Sequence, residues 1–154
     1  MSKGFVAAEQ GHIVQLLAPQ DISAAATSDT FSMAGWAHAS ILCSFGAGSG
    51  CTISLGECTS FAGSDRTAVT FRFAQEATAN GDTLDAALAA ASTITIAAGT
   101  AAFAVIELDG DELSDGYQYV QLNISDPGTS KLASATAVLS GGRYQEDITA
   151  TAIV

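Results

Sequence analysis

The residues able to do chemistry are few and scattered along the 154 positions. The densest group is Asp109-Gly110-Asp111-Glu112-Leu113-Ser114-Asp115-Gly116. Carboxylates spaced this way can ligate calcium. The EF-hand pattern fails here, because Leu113 holds the third ligand position and no Glu stands at the twelfth. The expectation is therefore a solvated acidic loop between two strands, with no metal, which at a subunit contact would meet a basic surface. Asp109 and Glu112 could be paired as glycosidase carboxylates, but neighbours in a turn do not define a cleft. A Ser-His-Asp set is compatible with the composition. His38, however, alternates within a strand pattern as an ordinary half-exposed residue, and His12 lies in the opening segment. Neither a Gly-x-Ser-x-Gly elbow nor a phosphate-binding Walker loop occurs. The reading is a non-enzyme without catalytic residues or cofactor.

Three cysteines, Cys43, Cys51 and Cys58, are too few and odd in number for a disulfide framework. The spacing of Cys51 and Cys58 does not match a zinc knuckle, and both histidines are distant in sequence. Three unpaired structural thiols are expected; a Cys51–Cys58 bridge across a short hairpin is the alternative. Asn123-Ile124-Ser125 forms a glycosylation sequon that no secretion signal supports. Trp36, Tyr117, Tyr119 and Tyr144 could make a sugar platform, but aromatics also dominate cores and protein contacts.

Sixteen acidic and five basic residues give a net charge of −11. Such a chain repels nucleic-acid phosphates, whose binding rests on Lys and Arg displacing counterions, so no direct nucleic-acid partner is expected. Hydrophobic residues make up 48% and charged residues 14% of the chain, which excludes a disordered composition. No apolar run reaches the roughly 18 residues of a membrane helix, and no membrane partner is expected. Met1-Ser2-Lys3-Gly4 leads into no secretory leader.

The elements that must position these residues read as β. In residues 36–45, Ala37, Ala39, Ile41, Cys43 and Phe45 share one face, against Trp36, His38, Ser40, Leu42 and Ser44. That is the period of two of a half-buried strand. Gly46-Ala47-Gly48-Ser49-Gly50 is a flexible turn, and residues 51–58 are expected to be the partner strand. Residues 67–74 alternate with Val69, Phe71 and Phe73 inward. Residues 101–108, 117–125 (Val120, Leu122 and Ile124 inward), 132–139 and 147–154 complete the strand candidates. Asn80-Gly81 and Asp126-Pro127-Gly128 are turns. Leu84 and Leu88, four apart amid alanines, allow at most one brief helix in residues 83–92. Residues 5–17 are a mixed opening segment that Pro19 interrupts, and residues 20–35 a connector.

The fold class expected is mainly β: a single antiparallel β-sandwich or β-barrel-like domain with extended terminal arms. Residues 1–19 form an N-terminal arm or first strand, 20–145 the β domain, and 146–154 a C-terminal strand or arm. Contact candidates are Phe5 and Val6 in the first arm, Trp36, Tyr117 and Tyr119 in the body, and Arg143, Tyr144 and Ile148 toward the end.

Four phrases in order carry a resemblance: Asp29-Thr30-Phe31-Ser32-Met33-Ala34-Gly35-Trp36; Thr78-Ala79-Asn80-Gly81-Asp82-Thr83-Leu84; Val105-Ile106-Glu107-Leu108-Asp109 with Glu112-Leu113-Ser114-Asp115-Gly116-Tyr117; and Leu122-Asn123-Ile124-Ser125-Asp126-Pro127 through Ala137-Val138-Leu139-Ser140-Gly141-Gly142-Arg143-Tyr144. Across roughly residues 20–145 the chain resembles small structural proteins of tailed bacteriophages, of the kind encoded beside the major capsid protein. The resemblance implies a head decoration (cement) protein, made in the host cytoplasm and placed on the outer surface of the virion capsid. Its partners would be the major capsid protein and copies of itself, as a dimer or trimer on the shell. A head–tail connector or tail component, and a carbohydrate- or receptor-binding module, are the alternatives.

Overall fold

Alternation places every second side chain of a strand on one face, and a face rich in Ile, Leu, Val and Phe must be covered. Two sheets cover each other here. The computed structural model describes residues 4–85, 88–99, 101–142 and 152–153. Its elements are α1 (Ala7–Gln10), β1 (His12–Ile22), β2 (Ala26–Thr27), β3 (Phe31–Ser32), β4 (His38–Gly48), β5 (Cys51–Cys58), β6 (Thr67–Ala68), β7 (Phe71–Glu76), β8 (Ala89–Ala91), β9 (Thr93–Ile96), β10 (Ala102–Asp109), β11 (Tyr119–Ile124) and β12 (Lys131–Ser140). The first sheet runs β1-β12-β4-β10-β7-β8. In the second, β11 pairs with β5, β2 and β3 flank β11, and β6 and β9 flank β5. Every pair is antiparallel. The architecture is a mainly β sandwich, as the alternation predicts.

The core lies between the sheets. From the first come Ala39, Ile41, Cys43 and Phe45 of β4, Ala104, Ile106 and Leu108 of β10, and Ala133, Ala135, Ala137 and Leu139 of β12. From the second come Ile53 and Leu55 of β5, Ile94 and Ile96 of β9, and Val120, Leu122 and Ile124 of β11. Phe31 and Phe71 are fully buried. Each large side chain removed from water in this way contributes roughly 1.5–3 kcal/mol. The alanine row of β12 is small where the facing rows are branched, which lets the two sheets interdigitate. The strands expected near residues 36–45, 101–108, 117–125 and 132–139 are β4, β10, β11 and β12. Both expected turns form: Asn80 adopts φ 58° beside a Gly81 N–H to Thr78 carbonyl bond, and Gly128 donates to the Asp126 carboxylate at 2.7 Å.

Three expectations are corrected. Residues 51–58 are not the partner of β4. β4 lies between β12 and β10 and runs on through Gly48, while β5 lies in the other sheet, so Ser49 and Gly50 carry the chain across the sandwich. Cys51 and Cys58 therefore occupy the two ends of one strand, about 23 Å apart at ~3.3 Å per residue. No bridge joins them, and all three thiols are free and buried. Pro19 does not interrupt the opening segment; it sits inside β1, where the register against β12 shifts between Leu17 and Gln20. β1 lies at one end of the sheet order and is irregular there, the setting in which a strand tolerates a residue without an N–H. Residues 67–74 are not one strand. β6 belongs to the second sheet and β7 to the first, yet Val69 and Phe71 stay buried because the crossing runs along the core. Among the described residues no helix forms in 83–92, within the expectation of at most a brief one. Ala89–Ala91 pairs with β7, whose backbone groups offer more than an isolated helical turn does. The helix present is α1, four residues long.

Burial pushes the Cys43 thiol up to about 12. It also raises Cys51 against the opposing charge of Lys131, and raises Cys58. The native chain is thus expected to show no rapidly reacting thiol toward an aromatic disulfide reagent, and three after unfolding in urea. Fewer than three in the unfolded, unreduced chain would mean a cystine is present.

Candidate functional site

Antiparallel pairing of β4 with β10 sets Asp109 opposite His38 and Glu107 opposite Ser40. All four side chains point away from the core, because Ala39, Ile41, Ile106 and Leu108 take the inner face. His38 Nδ1 lies 2.6 Å from Asp109 Oδ1, and Nε2 lies 2.7 Å from Glu107 Oε2. Ser40 Oγ donates to the same Glu107 oxygen at 2.6 Å. Arg72, opposite Glu107 on β7, bonds Asp109 Oδ2, and its Nε is 3.8 Å from Glu112 Oε1. Burial alone would lower the His38 pKa. The hydrogen bonds to Asp109 and Glu107, and the charges of both, outweigh it and raise the value above the ordinary 6.5.

The group superficially offers a serine, a histidine and an aspartate, with Ser40 Oγ 3.3 Å from His38 Nε2. A nucleophile needs a base with a free lone pair. Here both ring nitrogens face carboxylates, so neither is free to take a proton from Ser40, whose hydroxyl donates to Glu107 instead. What this arrangement does chemically is clamp three strands, β4, β10 and β7, on one outer face.

The acidic loop is part of the same device. The Glu112 carboxylate accepts the Asp109 N–H at 2.9 Å, and Glu112 N–H donates to the Asp109 carbonyl at 3.0 Å. Ser114 donates its N–H and hydroxyl, at 2.8 and 2.6 Å, to Glu57, a buried carboxylate at the end of β5. The loop is a folded turn tied to both sheets, with Asp109 and Glu112 facing cations of the chain itself. Among the described residues no group of three or more His, Cys, Asp and Glu side chains is arranged to hold a metal ion.

Phe5 and Val6 stand 60% and 39% exposed just before α1, whose first turn hangs on the Val6 carbonyl. Trp36 is half-buried, packs on the core and stacks against His12 at 5.9 Å. It shares a hollow with Met33, Leu113, Tyr117 and Gln118. Tyr119 is elsewhere, on the outer face of the second sheet, its ring 4.5 Å from that of Phe61. The structure thus brings Trp36 and Tyr117 together and leaves Tyr119 apart. With one ring face on His12 and its body on the core, Trp36 is a packing residue more than an open platform. Arg143, Tyr144 and Ile148, and most of the expected last strand, lie outside the described residues.

Sequence reasoning missed the His38 group, since nothing local reveals that β10 is the partner of β4. It also missed the burial of Glu57 and of two further ionisable residues. Glu76 accepts the Thr83 hydroxyl at 2.6 Å and the Thr78 and Thr83 N–H groups at 2.7 and 2.9 Å, bonds that hold its carboxyl down to about 2. Gly81 is needed there, since a Cβ would come within 2.5 Å of Glu76 Cδ. Lys131 is 1% exposed, with Nζ 6.0 Å above the Phe45 ring and no hydrogen-bond partner among the described residues.

No protein-family profile matches the chain, and no curated protein sequence matches it. Among solved structures the fold is similar to that of the SPBc2 prophage-derived protein YomS. The identity is 10% and the TM-score 0.52, over 84% of this chain and 93% of that one.

The clamp makes stability depend on pH with a definite sign. The folded-state pKa of His38 lies above the unfolded value of 6.5. Its contribution is therefore complete below 6.5 and is lost as pH rises through the raised value. Urea titrations at low salt between about pH 6 and 9 should show the wild type losing about 1 kcal/mol more than His38→Gln over that range. Parallel pH profiles for the two proteins would contradict the clamp.

Proposed function

We propose that the chain is a virion structural protein of a tailed phage. In this reading it is a decoration (cement) protein bound to the outer capsid surface, contacting the major capsid protein and copies of itself. The observation carrying the reading is the fold shared with a prophage-derived protein along most of both chains. Several properties support it. The outer face of one sheet is tied across three strands by the His38–Asp109–Arg72 clamp. An exposed apolar segment, Phe5–Val6, precedes the body. A net charge of −11 suits a surface turned away from packaged DNA and toward a basic patch of the shell. A connector or tail component is the second reading, because a prophage-derived relative in fold fits either place.

Purified protein added to phage heads assembled without it is expected to bind saturably over the whole shell. It should raise the temperature at which those heads release DNA, and bind more weakly as salt screens the charge. Binding at a single vertex would favour the connector. No binding to heads or tails would overturn both readings.

A further inference from the structure

The outer face of the first sheet is crossed, at the end away from His38, by a trough without charge. Ser134, Ser44, Phe103 and Glu76 align across four strands there. Two hollows meet over this row. One, of 280 Å³, has Pro19, Leu132 and Ser134 among its lining; the other, of 420 Å³, has Phe103, Ala79 and Gly81; both include Ser44 and Phe45. The floor is low because Ser44 is small and Gly46 has no side chain: a Cβ on Gly46 would come within 3.0 Å of Leu132 Cβ. Leu132 stands 59% exposed as an apolar wall. No described residue lining either hollow is charged, although Glu76 lies beneath, its carboxylate fully engaged by the loop that forms the far wall.

The chain also carries a knob of matching character. Phe5 and Val6 are exposed, and residues 4–8 hold no charge. This segment is anchored at the opposite end of the sheet. Gly11 sits so close to β12 that a Cβ on it would lie 3.0 Å from the Leu139 carbonyl oxygen and 3.2 Å from Val138 Cγ1. Leu139 and Leu132 are seven residues apart on β12, about 23 Å, so the knob does not reach its own trough.

We propose that Phe5 and Val6 of one copy seat in the trough of a second copy, joining copies head to tail. Copies carrying −11 each repel one another. An uncharged knob in an uncharged trough is a contact that buries apolar surface without desolvating a carboxylate. Knob and trough are different patches, so the contact is heterologous and repeats from copy to copy. It is small, with an expected Kd of about 0.1–1 mM in solution, and gains strength where copies are held side by side on a lattice. This deepens the self-association within the proposed function and rests on that reading for its setting.

The test uses the full chain free of any shell, in sedimentation velocity up to about 1 mM, with Phe5→Gln and Ser44→Gln. Both positions are exposed and both changes keep the net charge, so repulsion between copies is unaltered. Circular dichroism and thermal melts check that each variant folds. The wild type should grow in mass with concentration, and each variant should associate at least tenfold more weakly. An equal mixture of the two should form a dimer and nothing larger, since one variant offers only the trough and the other only the knob. A wild type that stays monomeric, variants that associate like it, or a mixture without dimer would overturn the proposal. If the wild type stays monomeric while Ser44→Gln loses binding to heads, the trough takes a shell segment. The decoration reading then survives and the second-copy contact does not.

Discussion

Burial of one face of β4, β10 and β12 against one face of β5, β9 and β11 is the constraint on which the rest of the structure depends. It fixes register. Slipping β10 by one residue against β4 would turn Ala104, Ile106 and Leu108 to solvent and drive Glu107 and Asp109 into the core. The core is shared by two sheets, so the chain can change sheets at short crossings, at residues 49–50 and again at 69–70, without exposing apolar side chains.

The outer faces follow from that register. With Ile41 and Ile106 inward, His38 and Ser40 must meet Asp109 and Glu107 on the outside. Arg72 arrives from β7 because Glu107 is its cross-strand neighbour. The charged clamp at one end of this face and the uncharged trough at the other are successive rows of one sheet, separated by the Thr136, Leu42, Val105 and Ala74 row. Polar loops reinforce both ends through carboxylates that are saturated with hydrogen bonds: Glu57 holds the 110–118 turn, and Glu76 holds the 78–83 turn. Each carboxylate is buried, and each is satisfied by N–H and hydroxyl donors, which is what makes its burial tolerable.

How much of this the sequence disclosed depended on range. Local alternation revealed β4 and β11 with their faces correctly divided and β10 and β12 as strands, and turn chemistry placed Asn80-Gly81 and Asp126-Pro127-Gly128. Partner choice was not legible. Cys51–Cys58 follows β4 after a glycine-rich loop, as a hairpin strand would, and only the packing of two sheets assigns it elsewhere. Pro19 reads as a breaker unless the strand is known to lie at the end of the sheet. The alanines of residues 86–91 suit a helix or a small-residue strand equally, and β7 decides between them for residues 89–91. Of the candidate site, Phe5, Val6 and Trp36 could be chosen as aromatic or apolar residues in plausible places. The link from His38 to Asp109 spans 71 positions, and Lys131, a charged residue type, gave no sign of burial.

The decoration reading remains a proposal: it rests on a fold similar to that of a prophage-derived protein, and the acidic charge and the exposed apolar segment are compatible with it. The most direct measurement is a cryo-electron microscopy reconstruction of particles from the phage proposed to encode this chain, with any copies of it counted against the major capsid protein. The account predicts sandwich density repeated over the outer shell at symmetry-related positions, the first sheet facing a neighbouring copy. Density confined to one vertex or to the tail, or absent from the particle, would contradict it.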